Sequence, residues 1–229
     1  MDALSLLADS ALFYGTPRER LEPLAAAAAR RSYARGAYLF HEGDPGRHLF
    51  LILSGEVKIA RVGHGGGEAV FTVLLPGDVF GELALFDDEG LRTSDAQAIV
   101  ATECLTVDRG VLMDFLVRQP ETMRRLIGLL GRHIRRKDDA FSEVSFLDIS
   151  GRVAHKLLDL AATHGEPAPA GTRIRLRLSQ RTLAGMVAAS RENVNRALSH
   201  FVADGAIRQD GGYITILDSA KLRHRAGAM

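Results

Sequence analysis

The 229-residue sequence predicts an α+β chain whose β-rich N-terminal half gives way to a helical C-terminal half. Three observations carry this reading. Between about Tyr33 and Asp108, short Val/Ile/Leu/Phe runs alternate with glycine turns. An apolar stripe at helical spacing then runs from Met123 to Val144. Finally, two short helical stretches meet at Ala189-Ser190 and are followed by a hairpin signal.

Taken in order, residues 1–31 read as helix. Leu4, Leu7, Leu12 and the Ala25–Ala29 run favour it, and Pro17 suits a helix start. The strand candidates are 49–53, 56–62, 69–75, 96–100 and 105–107, with Gly-Asp turns at 43–44 and 77–78. Short strands at regular intervals indicate a roll, barrel or sandwich. His64-Gly65-Gly66-Gly67 is the expected hairpin turn between 56–62 and 69–75.

Met123, Ile127, Leu130, Ile134, Phe141 and Val144 lie on one stripe of a long helix. A helix of about 25 residues with one sustained stripe requires a partner helix. The stripe is broken at Lys137-Asp138, either as a register-setting device or as part of a site. Asp148 is the expected N-cap of the next helix, whose apolar face is Val153, Leu157 and Leu158. Gly165, Pro167, Pro169 and Gly171 mark a loop. Residues 173–179 alternate like a half-buried strand, with Arg173, Arg175 and Arg177 on one face. The segment 206–217, with Asp-Gly-Gly at its centre, reads as a hairpin.

Composition is that of a globular chain, 46% hydrophobic and 25% charged. No apolar run approaches the roughly 18 residues of a membrane span, and no secretory signal is visible, so a cytoplasmic protein is expected. The net charge of +1 hides an asymmetry. Residues 1–110 hold 10 Lys/Arg against 16 Asp/Glu, whereas residues 152–229 hold 12 against 6. A basic C-terminal region suggests a polyanionic partner.

Enzymatic and metal readings find no support. His64 to Gly67 resembles an esterase oxyanion motif, but no G-x-S-x-G elbow accompanies it. His41 and His48 are seven residues apart and lack a partner pair for zinc. The lone Cys104 excludes an intrachain disulfide or a four-cysteine cluster, and it reads as a small buried hydrophobe. No metal, haem or iron–sulfur cluster is expected.

The two stretches around Ala189-Ser190 fit a helix-turn-helix. Ser179 and Ser190 are the expected caps. Val194, Leu198 and Phe201 form the buried face of the second helix, and Arg191, Glu192, Asn195, Arg196 and Ser199 the other. Arginine reads guanine O6/N7 and a carboxylate accepts from cytosine N4, so Glu192 between arginines suits base readout. The plainer alternative is an i,i+4 Glu192–Arg196 surface pair worth about 0.3–0.5 kcal/mol.

At this point the sequence resembles the cyclic-AMP receptor protein/fumarate–nitrate regulator family of bacterial transcription factors, and looks closest to its actinobacterial cyclic-AMP receptor-like members. The carrying segments are FGELALF (80–86) with RTS (92–94), FLDISGRVAHKLLDLA (146–161) and LSQRTLAGMVAASRENVNRAL (178–198). The resemblance implies a jelly-roll-like β-roll sensor over 1–117, a long dimerisation helix over 118–147 and a winged helix-turn-helix over 148–229. It implies a homodimer on double-stranded DNA, with RNA polymerase as a further partner. Arg191, Glu192 and Arg196 would be the base readers of a GTGA half-site. Ser179, Ser190 and Asn193 match phosphate-contacting positions. Phe146 and Asp148 fall at the hinge. One departure is Ala188, where many relatives carry glycine; if the backbone there is left-handed, alanine costs roughly 1–2 kcal/mol.

Gly81-Glu82-Leu83, followed nine residues later by Arg92-Thr93, has its own logic. Glycine lets backbone N–H groups approach a phosphate, and arginine supplies a charged donor pair. Thr93 adds a hydroxyl, and Glu82 accepts a ribose 2′-OH. In isolation, a structural Glu–Arg pair explains the segment equally well. With the resemblance, the expected ligand is cyclic AMP. Its base would meet Lys137-Asp138, where cyclic-AMP-binding relatives offer Thr then Ser or Asn. Three readings stay open: Asp138 accepts from adenine N6; Asp138 and Lys137 read guanine and favour cyclic GMP; or the two residues lock the dimer seam and no nucleotide is needed. His133, one turn earlier, either lines the same pocket or is an ordinary helix residue. A nucleotide-binding regulatory module without DNA readout is the distant rival.

Overall fold

The computed structural model describes residues 2–63 and 66–227. The chain divides into two compact units, Met1–Arg61 with Phe71–Ile134, and Val62–Val70 with Arg135–Met229.

The first unit opens with α1 (Ala3–Ala8) and α2 (Arg18–Ala27) rather than one helix over 1–31. The Asp2 carboxylate caps α1 by accepting from Ser5 N at 2.8 Å. Gly15 turns the chain at φ +75° before Pro17 leads into α2. The alanine run leaves the helix at Ala28, because Ala29 begins strand β1 (Ala29–Tyr33). Ala29 pairs with Thr106 of β8 (Thr102–Asp108), so cross-strand pairing overrides alanine's helix propensity.

The remaining strands of the β-rich half are β2 (Tyr38–Phe40), β3 (His48–Ser54), β4 (Val57–Val62), β5 (Glu68–Leu74), β6 (Val79–Phe80) and β7 (Asp95–Ala98). They form two four-stranded sheets, β1-β8-β3-β6 and β2-β7-β4-β5. His64 and Gly65 of the expected β4–β5 turn lie outside the described residues. At its base Gly63 N donates to Gly67 O at 2.8 Å.

The unbroken run Leu49–Ile52 follows from burial on both faces of β3. Successive side chains of a strand point to opposite sides. Leu49 and Leu51 join Leu7, Leu24, Leu112 and Leu126 in a core under the helices. Phe50 and Ile52 join Val57, Phe80, Ala96 and Cys104 on the other side. Burial pushes the Cys104 thiol up to about 12, as a packed hydrophobe requires.

After β6 comes the short helix α3 (Leu83–Phe86), and after β8 come α4 (Arg109–Arg118) and α5 (Pro120–Phe146). Gln119 separates the last two at φ −129°, ψ 75°, a non-helical backbone consistent with the exclusion of the residue before a proline from the helical region. Met123, at the start of the predicted stripe, packs against the helical core, whereas Ile127, Ile134, Phe141 and Val144 on α5 are 60%, 62%, 77% and 52% exposed, so most of the stripe is uncovered among the described residues.

In the second unit, α6 (Ile149–His164) starts where expected, with Asp148 Oδ1 accepting from Gly151 N at 2.7 Å. The expected loop at 165–171 is instead a hairpin of β9 (Gly165–Ala168) and β10 (Gly171–Ile174). The alternation over 173–179 is real in burial but not in pairing. Ile174, Leu176 and Leu178 are buried, yet the ladder stops at Ile174. Helices α7 (Gln180–Met186) and α8 (Arg191–Ala203), strands β11 (Ile207–Asp210) and β12 (Tyr213–Ile216), and helix α9 (Ser219–Arg225) follow. The sheet order is β11-β12-β10-β9. Gly211 and Gly212 make the tight turn at φ +57° and +87°, a backbone that needs two residues tolerant of positive φ.

Candidate functional site

In the first unit, Gly81 follows β6 at φ +82°, and a Cβ there would lie 2.7 Å from Arg92 Nη1. The glycine therefore admits a buried guanidinium against the backbone. Arg92 is 5% exposed. Its Nη1 donates to Gly81 O at 2.7 Å and its Nη2 to His48 O at 2.8 Å. Its Nε is buried with no hydrogen-bond partner among the described residues. The group lies over the rings of Phe40 (4.2 Å) and Phe50 (5.4 Å). Desolvation pulls the Arg92 pKa down, while Glu82 and Asp44 act against that shift. A buried cation resting on carbonyls and π-faces, with one donor unmatched, suits an incoming anion.

Glu82 precedes α3 and is 3% exposed. Its Oε1 lies 3.2 Å from His133 Nδ1 on α5. Leu83 is partly exposed, and Thr93 is exposed beside buried Ser94. The structure thus brings Gly81, Glu82 and Arg92 together, while no Glu82–Arg92 ion pair occurs among the described residues. Lys137 and Asp138 are exposed on the part of α5 belonging to the second unit. Among the described residues neither forms a side-chain ion pair. Phe40, Phe50 and the His48 carbonyl escaped sequence reasoning; the apolar run around Phe50 was the available signal.

The second unit carries the helix pair. Ser179 Oγ accepts from Thr182 N at 3.0 Å and Ser190 Oγ from Asn193 N at 3.2 Å, capping α7 and α8. Ala188 in the turn has φ +49°, the left-handed region that its sequence position called into question. Val194, Leu198 and Phe201 are buried, whereas Arg191, Glu192, Asn195, Arg196 and Ser199 are exposed. No Glu192–Arg196 ion pair occurs among the described residues, so that plainer alternative is not realised here. Gln180, which the sequence did not single out, accepts from Arg191 Nε at 3.3 Å and donates to Asn195 Oδ1 at 2.7 Å. It ties the first turn of α7 to the exposed face of α8.

Phe146 ends α5 and is 85% exposed. Asp148, two residues on, accepts from Arg225 Nη2 at 2.7 Å as well as capping α6. Two arginines at and just after β10 are also accounted for. The Arg173 guanidinium stacks 4.2 Å from the Tyr213 ring, and Arg177 Nε donates to Gly211 O at 3.1 Å.

A cyclic nucleotide-binding domain model matches residues 30–119, and a Crp-like helix-turn-helix domain model matches residues 151–225. The chain is 37% identical over 221 residues to a CRP-like cAMP-activated global transcriptional regulator of Mycobacterium tuberculosis, covering 96% of this chain and 98% of that relative. It is 32% identical to a cyclic AMP receptor protein of Thermus thermophilus, covering 95% and 97% of the two chains. A solved structure of a CooA mutant from Carboxydothermus hydrogenoformans matches with a TM-score of 0.78 over 99% of this chain and 96% of that one. At 20% identity that likeness shows the fold. With an α+β architecture of β-rich unit, long helix and helix-turn-helix, the chain belongs to the Crp/Fnr family of DNA-binding transcription regulators rather than to a family of enzymes.

Proposed function

We propose that this regulator is a cytoplasmic homodimer, gated by cyclic AMP, that reads palindromic sites with GTGA half-sites. The observation that carries the ligand reading is Arg92: a buried guanidinium with an unmatched Nε, packed against Gly81, whose missing side chain gives it room. A cyclic phosphodiester supplies the missing anion. Gly81, Leu83 and Thr93 would border it, and the buried Glu82 carboxylate would accept the ribose 2′-OH. Asp138, beside Lys137, would accept from adenine N6.

Dimerisation would cover the exposed stripe of α5, whose apolar side chains otherwise remain in water. Nucleotide binding would favour one arrangement of the two long helices, with the Phe146–Asp148 junction repositioning the recognition helices. The shift is limited to the ligand's differential affinity for the two states. On DNA, Arg191, Glu192 and Arg196 would read bases, and Ser179, Ser190 and Asn193 would set register on phosphates. RNA polymerase is the proposed downstream partner.

Calorimetric titration with cyclic AMP and cyclic GMP tests the ligand. Saturable heat with cyclic AMP, lost in Arg92→Leu, is expected. Preference for cyclic GMP would assign Lys137 and Asp138 to guanine. Absence of heat with both would favour a second reading, in which Lys137 and Asp138, free of partners within the described chain, lock the dimer seam without a nucleotide.

A further inference from the structure

The second unit holds an open groove of about 670 Å³ beside α8, bounded by the start of α6 and the end of α9. Three guanidinium groups line it, from Arg152, Arg196 and Arg225, together with the imidazole of His200 and the amide of Asn193. Asp148 is the single carboxylate in that lining. Arg152 donates to Ala188 O at 3.4 Å, and its Nε is buried without a hydrogen-bond partner among the described residues. Arg225 is held over the groove by two contacts, Nη2 to Asp148 Oδ2 at 2.7 Å and Nε to Ser150 Oγ at 3.0 Å. The last turn of α9 adds Arg223 and His224 to the same basic end.

We infer that this groove seats a phosphate of the DNA backbone, with Arg225 of the C-terminal helix as a donor to it. The inference rests on the DNA-reading assignment and extends that interface to α9. Charge complementarity points to a polyanion, since three fixed cations face one carboxylate. Continuity identifies which polyanion, because Asn193 and Arg196 line the groove and also lie on the recognition helix. The groove is open rather than enclosed, as a passing strand requires. Arg225 is already pre-positioned by Asp148 and Ser150, so less side-chain freedom is lost when phosphate arrives. Such a contact fixes position and carries no sequence information.

The experiment compares the wild type, R225A and R225K. It uses the full-length protein with cyclic AMP present, on a GTGA palindrome and on a scrambled duplex, across a salt series. R225A should weaken binding about tenfold on both duplexes. It should also lower the salt slope by about 2, one phosphate per subunit of a dimer. R225K keeps the charge and should retain most of the slope. Unchanged binding by R225A would overturn the inference. So would weaker binding by R225A at the wild-type salt slope with a lowered urea midpoint, which would mark a purely structural contact. A loss confined to the palindrome would make Arg225 a base reader instead. Failure of the wild type on every duplex would overturn the DNA-reading assignment and this inference with it. Loss in R225A alone leaves the assignment standing.

Discussion

His133 Nδ1 on α5 lies 3.2 Å from Glu82 Oε1, a carboxylate whose side chain is only 4% exposed. Glu82 starts a short helix that sequence alone linked to a ligand, so one buried acid has both a structural partner and a proposed ribose-binding task. A carboxylate so far from water needs its partner. His133→Ala should therefore destabilise the protein by about 1–3 kcal/mol, read as a lower urea midpoint at unchanged slope. An unchanged midpoint would mean that the Glu82 charge is satisfied elsewhere.

Arg92 is the second test. Its two terminal nitrogens reach the carbonyls of Gly81 and His48 while its flat face covers Phe40. Lysine keeps the charge but cannot fork to two carbonyls or stack as a plane. Arg92→Lys should lower cyclic AMP affinity at least tenfold by calorimetry while preserving the fold by circular dichroism. Wild-type affinity in this variant would show that the phosphate is bound elsewhere.

The division between what could and could not be read in advance has a physical basis. Leu49–Ile52 was legible because two-sided burial demands a continuous apolar run. Strand β1, with the sequence ARRSY, was not: it is exposed and charged, and only its pairing to β8 makes it a strand. Strand β6 has two residues, β9 is Gly-Glu-Pro-Ala, and neither leaves a periodic trace. The helix-turn-helix was legible because its caps and apolar positions are local. The Arg92 site was legible as a motif but not as geometry. A backbone acceptor such as His48 O, 44 residues away in sequence, leaves no mark on residue identity. The same holds for Asp148 and Arg225, which are 77 residues apart.

Ala188 offers a test of backbone strain. It occupies φ +49° in the turn between α7 and α8, and its side chain is exposed, so its methyl group buries little. The left-handed region costs alanine about 1–2 kcal/mol, and glycine gives back about 0.4–1 kcal/mol through a freer unfolded chain. Ala188→Gly should therefore raise stability by about 0.5–1 kcal/mol in thermal or urea unfolding. Destabilisation would place Ala188 outside the left-handed region in solution.

The α5 stripe predicts oligomeric state. Ile134 and Phe141 are 62% and 77% exposed, seven residues apart on one face. If a second copy covers them, a charge at either position is buried against an apolar partner. Ile134→Glu with Phe141→Glu should shift sedimentation from dimer to monomer and abolish binding to a palindrome. A stable dimer in the double variant would move the interface off this stripe.

The recognition helix gives the sharpest prediction, because its readers differ in kind. Arg191 and Arg196 carry charge that favours any DNA, whereas Glu192 carries charge that opposes it. All three are exposed on α8, and no Glu192–Arg196 pair is formed among the described residues, so Glu192 is available to accept from cytosine N4. Arg196→Ala should weaken binding on every duplex and also lose discrimination at its base, at a cost of about 1–3 kcal/mol. Glu192→Ala should do something that no arginine variant does. It removes repulsion from phosphate, so binding to scrambled DNA should hold or tighten while binding to the GTGA palindrome weakens. The quantity to measure is the ratio of the two affinities at fixed salt. A Glu192→Ala ratio equal to wild type would remove Glu192 from the base-reading set and leave it as an ordinary residue of the helix surface.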